Sequence, residues 1–181
     1  MTASPPASLA PPDVPTLVTA RLRLRRLTVD DAAAMAGLLG DDHAAIQMTS
    51  HVPDPCTVDG ARAWIALRTG ADSVPFAIER DGAMIGSIGL HLDPPRAGMG
   101  YWLGRAHWGQ GLATEAAAAV LAFAAALGIR AVDADTYTGN AASARVLIKL
   151  GFTYVDTVDE LQEVRGGVRA IDRFVWRGTT R

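Results

Sequence analysis

Between Leu17 and Leu27 apolar positions alternate with arginines, Leu22 and Leu24 standing against Arg21, Arg23 and Arg25. That is the period of a half-buried strand, so a first strand is predicted across this stretch. At Thr28 the pattern changes. Thr28-Val29-Asp30-Asp31 puts an acid three residues after a hydroxyl, the signature of a capped helix start, and Met35, Leu38 and Leu39 follow at helical spacing until Gly40. Thr57 caps a second predicted helix that turns Trp64, Ile65 and Leu67 toward the core. Between the two helices, residues 41 to 56 hold turn formers and prolines. In a compact domain so long an irregular stretch suits a substrate-binding loop.

Val74–Glu79 and Met84–Leu92 read as strands joined across Asp81-Gly82, a strong hairpin signal. Asp93-Pro94-Pro95 turns the chain into a strand over Met99–Leu103. An alanine-rich helix over residues 112 to 127 carries Val120, Leu121, Phe123 and Leu127 and closes at Gly128. A strand over Ala131–Tyr137, a helix over Asn140–Leu150 stopped by Gly151, and strands over Phe152–Val158 and Ala170–Trp176 complete the chain, with Gly166-Gly167 in the last turn. The order β-α-α-β-β-β-α-β-α-β-β implies an α/β (α+β) domain: a mixed, mostly antiparallel sheet with helices on both faces.

The length of 181 residues fits one domain, expected over residues 17 to 178, preceded by a disordered proline-rich arm over residues 1 to 16. Net charge of -2 gives no footprint for nucleic acid, and no basic cluster or long apolar run points to a membrane. One cysteine, Cys56, rules out an internal disulfide framework. The four histidines fall at no metal-ligand spacing, so no metal is expected. A cytoplasmic protein is the natural reading.

The segment that carries chemistry is a strand ending in Trp108-Gly109-Gln110-Gly111 and opening directly into a helix. The first N–H groups of a helix lack internal partners, and together with the helix dipole they make an anion site that glycines allow a ligand to approach. Residues alone take the reading as far as a phosphate-bearing ligand.

Gly100-Tyr101-Trp102-Leu103-Gly104 followed by Trp108-Gly109-Gln110-Gly111-Leu112-Ala113-Thr114-Glu115-Ala116 resembles the acetyl-CoA motif of the GNAT N-acetyltransferases, in particular their RimJ/RimL-like branch. A second block, Asn140-Ala141-Ala142-Ser143 through Lys149-Leu150-Gly151-Phe152, is similar to another signature of that branch, and the likeness runs from about Leu17 to Trp176. The resemblance implies the GNAT acyl-CoA N-acyltransferase fold. It also implies transfer of acetyl from acetyl-CoA to a primary amine, either a protein N-terminus or a small amine, by direct attack in a ternary complex. It assigns the pyrophosphate to Gly109, Gln110, Gly111, Leu112, Ala113 and Thr114, and the pantetheine to the main chain of Trp102, Leu103 and Gly104 and to Asn140. Arg145 and Lys149 would meet CoA phosphates, and Ser143 would protonate the leaving thiolate. Helix capping accounts equally for Asn140 and Ser143, and basic residues late in a helix suit its dipole. Relatives occur as monomers and homodimers, so a second copy is a further expected partner.

Attack on a thioester requires a neutral amine, hence a group or water that takes its proton. Many relatives carry a glutamate just before the Gly-Tyr-Trp strand, where this chain has Gly98. The candidates for a base are then Glu160 and Glu163 beyond Gly151-Phe152, and His91 at a strand end, with ordinary surface roles as the alternative for each. Tyr101 is a packing aromatic or an acid, and Glu115 a residue placed for the helix dipole. Cys56, before a helix, is an activated thiol or a bystander. The acids Asp41, Asp42, Asp54, Asp59, Asp159 and Glu160 suggest a cationic acceptor.

Two other functions compete. Gly109-x-Gly111-x-x-Thr114 with Asp133 and Asp135 some twenty residues on approaches a dinucleotide fingerprint, as in an NAD(P)-binding oxidoreductase, but the third glycine is missing and the preceding strands are antiparallel. The absent glutamate also suits a non-catalytic acetyl-CoA sensor or interaction module.

Overall fold

The computed structural model describes residues 14 to 49 and 51 to 178. Of the expected arm, residues 1 to 13 lie outside the described residues, and Val14 already packs against the core. The chain opens with two short strands, β1 (Leu17–Val18) and β2 (Arg23–Arg26). The single strand expected over Leu17–Leu27 is therefore two. Thr19 turns the chain, its N–H donating to the Leu22 carbonyl at 2.9 Å and its hydroxyl accepting from the Leu22 N–H at 3.0 Å, so residues 19 to 22 fold a strand-like sequence into a hairpin.

Thr28 forms the expected capping box with Asp31, first over a 3-10 turn at Val29–Asp31 and then α1 (Ala32–Leu39), which Gly40 stops at φ 39°. Within the irregular 41–56 stretch Asp42 caps one short helix, α2 (His43–Ile46). Thr57 caps α3 (Val58–Leu67) through a hydrogen bond from the Gly60 N–H at 3.1 Å. Ile65 is buried as expected, whereas Leu67, at the last turn of α3, is 85% exposed. Helical spacing placed it one residue beyond the buried stripe.

The strands β3 (Ser73–Arg80) and β4 (Ala83–Asp93) pair across Asp81-Gly82, both at positive φ, as the hairpin signal requires. Then come β5 (Arg96–Leu103), α4 (Leu112–Ala126), β6 (Ala131–Tyr137), α5 (Ala141–Lys149), β7 (Thr153–Gln162) and β8 (Gly167–Arg177). The sheet order is β1-β2-β3-β4-β5-β6-β8-β7, every pairing antiparallel except β5 with β6. This is the expected mixed sheet, and helices cover both of its faces.

On one face α4 lays Val120, Leu121 and Ala124 against Phe76, Ile88 and Leu90, and Phe76 meets Phe123 edge to face at 5.9 Å. On the other, α1 and α3 pack Met35, Ala61 and Ile65 over Ala77 and Trp102. The core on this second face stops short of β6, because the positions facing it farther along the sheet are Ser87, Gly89, Gly98 and Gly100. A Cβ built on Gly100 would meet nothing within 4 Å. Small residues thus leave a hollow where a core would otherwise close.

The roof of that hollow is formed by described residues between Ile46 and Val52, namely Met48, Thr49, His51 and Val52. Arg165, only 8% exposed in the turn between β7 and β8, holds it by donating Nε to the Thr49 carbonyl at 2.9 Å and Nη2 to the Ile46 and Val52 carbonyls at 2.9 and 2.8 Å. Charge-assisted bonds of this kind are individually worth more than neutral ones, and their loss strands buried carbonyls. Arg165→Met is expected to lower stability by about 3 kcal/mol, read as a lower urea midpoint with an unchanged slope; a midpoint equal to wild type would show that the roof holds without it.

Candidate active site

The register of β5 and β6 sets the site. They pair only over Arg96–Gly98 with Ala131–Asp133, after which β5 stays with β4 and β6 with β8. Met99 to Leu103 therefore present one bare edge to an opening wedge. The Gly104 N–H donates to the Ile85 carbonyl and Gly86 lies opposite Leu103, so ladder alternation sends the main chain of Trp102 to Ser87 and turns that of Tyr101 and Leu103 into the wedge. The Leu103 carbonyl takes the Trp108 indole N–H at 2.7 Å. Of the three residues expected to offer main-chain groups, Leu103 does so with its N–H, Tyr101 joins it, and Trp102 and Gly104 are engaged within the sheet.

On the α4 side the wedge opens into a cavity of about 640 Å³, a size usual for small-ligand sites. The turn Gly109-Gly111 and the first turn of α4 form one wall, and Gly139 to Ser143 with Arg145 and Lys149 of α5 form the other. Gly109 and Gly111 sit at φ 71° and 76°, where only glycine is free of strain. No side chain caps α4, and the N–H groups of residues 109 to 114 find no main-chain acceptor outside the helix among the described residues. The end of α4 is thus open to an anion.

Gln110 turns its side chain away, accepting from Arg80 at 2.8 Å and donating to the Ala106 carbonyl at 2.9 Å. Glu115 does more than complement a dipole. It accepts from the Thr19 hydroxyl at 2.6 Å and from the Arg21 N–H and Nε at 2.8 and 2.6 Å, while Arg21 Nη1 donates to the Gln110 carbonyl at 3.0 Å. Burial pushes the Glu115 carboxyl up, but these donors outweigh it and hold the group below the ordinary glutamate range. The β1–β2 hairpin, split where one strand was expected, exists to clamp the turn before α4.

Asn140 caps α5, its Oδ1 accepting from the Ser143 N–H at 3.2 Å, and its amide nitrogen makes no hydrogen bond to a described residue. The Ser143 hydroxyl lies 2.8 Å from the Tyr101 hydroxyl. Burial pushes the Tyr101 phenol up, opposed by Ser143, so it stays protonated at neutral pH. This pair stands where the wedge passes through the sheet, because Tyr101, Trp102 and Ser143 border both this cavity and a second one.

The second cavity, about 580 Å³, lies under α3 and the 46–52 roof, floored by Ser87, Gly89, Gly98 and Gly100. His91 borders it, as do His51, Arg68, Asp133 and Asp135. Asp133 lies beside Gly98 in register and is held by Arg96, with Nε at 3.0 Å. Asp135 has no such partner. Arg173, opposite it, gives Nε and Nη2 to Asp156 at 2.6 and 2.5 Å. Asp135 is open to the cavity yet ringed by protein; that burial, then the Glu160 carboxylate, pushes its carboxyl up, only partly offset by Arg173. Burial, then Arg68, pushes the His51 imidazole down, with Glu160 opposing.

Glu160 lines neither cavity and accepts from Gln162 Nε2 at 3.0 Å. Glu163 sits exposed in a 3-10 turn and borders neither cavity. Among the other acids expected near the acceptor, Asp42 is tied to Arg105, Asp54 to His43 and Gln47, and Asp59 to Arg62. The acids that do face the cavity, Asp133 and Asp135, looked in sequence like ribose ligands of a dinucleotide; their alternation with Ala134 and Thr136 is the signal that one face of β6 is polar. Cys56 is 2% exposed and burial pushes its thiol up, which makes it a packed bystander. No cluster of metal-ligating side chains occurs among the described residues, and none of their helices is long and apolar enough to cross a membrane.

A wedge between parallel strands, an uncapped glycine-led helix at its mouth and a second cavity behind it define an acyl-CoA-dependent transferase. Residues 21–153 match the model of the acetyltransferase (GNAT) domain, and the chain belongs to that family. It is an acetyl-CoA-dependent N-acetyltransferase. It is 30% identical over 148 residues to the N-acetyltransferase YoaA of Bacillus subtilis, covering 76% of this chain and 82% of YoaA. Its fold is similar to that of Mycobacterium smegmatis RimJ in complex with a CoA disulfide (TM-score 0.81, 23% identity, 93% of this chain and 90% of RimJ). RimL, a ribosomal-protein alpha-N-acetyltransferase in complex with coenzyme A, is similar at a TM-score of 0.79 and 21% identity, over 91% of this chain and 97% of RimL.

Gly111 tests the anion site. An alanine there must adopt a left-handed conformation costing about 1–2 kcal/mol, so Gly111→Ala is expected to weaken acetyl-CoA binding about tenfold by calorimetry; unchanged affinity would remove this turn from the donor site.

Proposed function

We propose that the α4-side cavity holds the donor, the cavity under α3 admits the amine, and the two meet at Tyr101 and Ser143. The observation that carries this division is the pass-through itself, where Tyr101, Trp102 and Ser143 border both spaces. The N–H groups of residues 109 to 114 hold the pyrophosphate, Arg145 and Lys149 meet the outer phosphates, and the main chain of Tyr101 and Leu103 with the Asn140 amide orients the pantetheine. Asp135 takes the proton of the entering ammonium. Among the acids bordering the acceptor cavity it lacks a tight cationic partner, and its raised pKa makes it a better base than an ordinary carboxylate.

The neutral nitrogen attacks the thioester carbonyl, the carbon–sulfur bond breaks, and the thiolate takes a proton from the Ser143 hydroxyl, which Tyr101 replenishes; the second proton that the nitrogen sheds in becoming an amide restores Tyr101. Main-chain N–H groups on the free edge of β5 stabilise the oxyanion. His91 and His51 offer a water-mediated route outward for the proton. Glu160 acts on this site by raising Asp135, and Glu163 has no part in it.

The acceptor is a primary amine. The likeness to RimL and RimJ favours a protein N-terminus, whereas the narrow floor beneath the 46–52 roof favours a small amine. A homodimer fits the exposed edge strand β7, where Tyr154, Val155 and Leu161 face solvent. A cytoplasmic location follows from the donor, a metabolite of the cell interior.

Asp135→Asn is expected to lower kcat/KM about 10²- to 10³-fold with acetyl-CoA affinity unchanged. An aspartate with raised pKa loses activity as pH falls through that pKa, so the acid limb of the wild-type profile lies above the ordinary carboxylate range and disappears in the variant. A limb that survives in Asp135→Asn would transfer the role to another group.

A further inference from the structure

Arg68, at the C-terminal end of α3, borders the acceptor cavity with no carboxylate beside it. Its guanidinium makes no hydrogen bond to any described residue, and its Nε is sealed from water without an acceptor. Its Cζ lies over the Trp64 ring, 4.5 Å from the centroid, a contact that satisfies none of its donors. Burial alone pushes its pKa down, with no acid near enough to oppose. Across the same cavity Asp135 is the mirror case, a carboxylate whose facing arginine is committed elsewhere. Charges taken partly out of water without partners are costly, and a protein that keeps two of opposite sign in one cavity has left them for a ligand.

We propose that Arg68, stacked on Trp64, binds a carboxylate of the acceptor, so that the substrate is a small amino-carboxylate: its ammonium goes to Asp135 and its acid to Arg68. This rests on the assignment of the α3-side cavity to the amine. A planar guanidinium with free donors matches a planar carboxylate in a two-point contact. One unpaired cation balances one negative charge, and a doubly charged phosphate would bring a second charge into a cavity that Asp135 already makes negative. An extended peptide N-terminus without an acidic side chain offers Arg68 nothing to bind.

The test uses the full chain with saturating acetyl-CoA and two matched acceptor series, α-amino acids and ω-amino acids of three to six carbons, each beside its own carboxamide. Free thiol release gives kcat and KM separately. The expected result is a kcat/KM at least tenfold higher for the acids, carried by KM. In Arg68→Met, with calorimetric acetyl-CoA affinity and unfolding midpoint as in wild type, that preference falls to within twofold while the carboxamides react as before, and Arg68→Lys recovers part of it. Equal rates for acids and carboxamides in wild type, or a preference that survives in Arg68→Met, would overturn the carboxylate site and leave the amine cavity standing. An equal loss on both series would mark Arg68 as structural. Transfer to neither series, with transfer to an unrelated amine or N-terminal peptide blocked by Asp135→Asn, would overturn this inference alone; transfer indifferent to Asp135→Asn would overturn the cavity assignment too.

Discussion

Beyond Gly98 and Asp133 the strands β5 and β6 stop pairing, and the working parts of the molecule follow from that parting. Parallel neighbours ordinarily continue their ladder, because a bare strand edge leaves N–H and C=O groups in need of partners. Here each strand has an antiparallel neighbour on its other side, β4 and β8, that keeps it straight while the gap widens. The free groups of Tyr101 and Leu103 are then available to a ligand that can bond like a strand, and an amide-bearing arm such as pantetheine is such a ligand. The wedge also puts a hole through the sheet, so a donor on one face and an acceptor on the other can touch.

Around that gap the structure spends its polar contacts on rigidity rather than on chemistry. Glu115, Arg21 and Thr19 bind the first hairpin to the start of α4. Arg165 binds the 46–52 roof to the far end of the sheet. Groups without protein partners, among them the α4 N–H groups, Asp135, Arg68 and the Trp64 and Trp102 indole N–H groups, border the two cavities, although Arg165 Nη1 in the scaffold also lacks one. This division between satisfied scaffold and unsatisfied site is how a small domain holds two substrates in register without moving large parts.

Much of this was legible in the chain before any coordinates. Caps and stops were written locally: Thr28 with Asp31, Thr57, Asn140, and glycines at 40, 128 and 151 fix helix ends through bonds within a few residues. The open start of α4 was legible for the same reason, since Gly109-Gln110-Gly111 and the first turn of that helix are one continuous segment. The acceptor side was not. Arg68, His51 and Asp135 come from a helix end, a loop and a strand, and only the ladder register shows that they share a space. The break at Thr19 escaped the alternation rule because Leu22 and Leu24 keep the right period across a turn. Leu67 was misplaced because the covered stripe of α3 runs through positions 61, 64, 65 and 68, and position 67 points off it.

The glutamate missing at Gly98 shows how the two halves of the site are coupled. An acid on β5 would stand on the floor of the acceptor cavity, close to the donor strand. Removing it clears volume there, and the small residues at 87, 89, 98 and 100 extend that clearance along the floor. In the proposed mechanism the acidic function lies on β6, where Asp133 lies beside Gly98 and Asp135 two residues farther along the diverging strand. Because β6 parts from β5 at that point, a carboxylate on it would approach the proposed acceptor from the side of the cavity and not from beneath. A lateral base leaves the floor free for the body of the acceptor and places the ammonium between the cavity wall and the thioester. On the proposed assignment, a small residue at Gly98 and an aspartate without a hydrogen-bonded cation at 135 act together: one clears the floor and the other meets the ammonium, so acceptors would be chosen by what they carry beyond the amine.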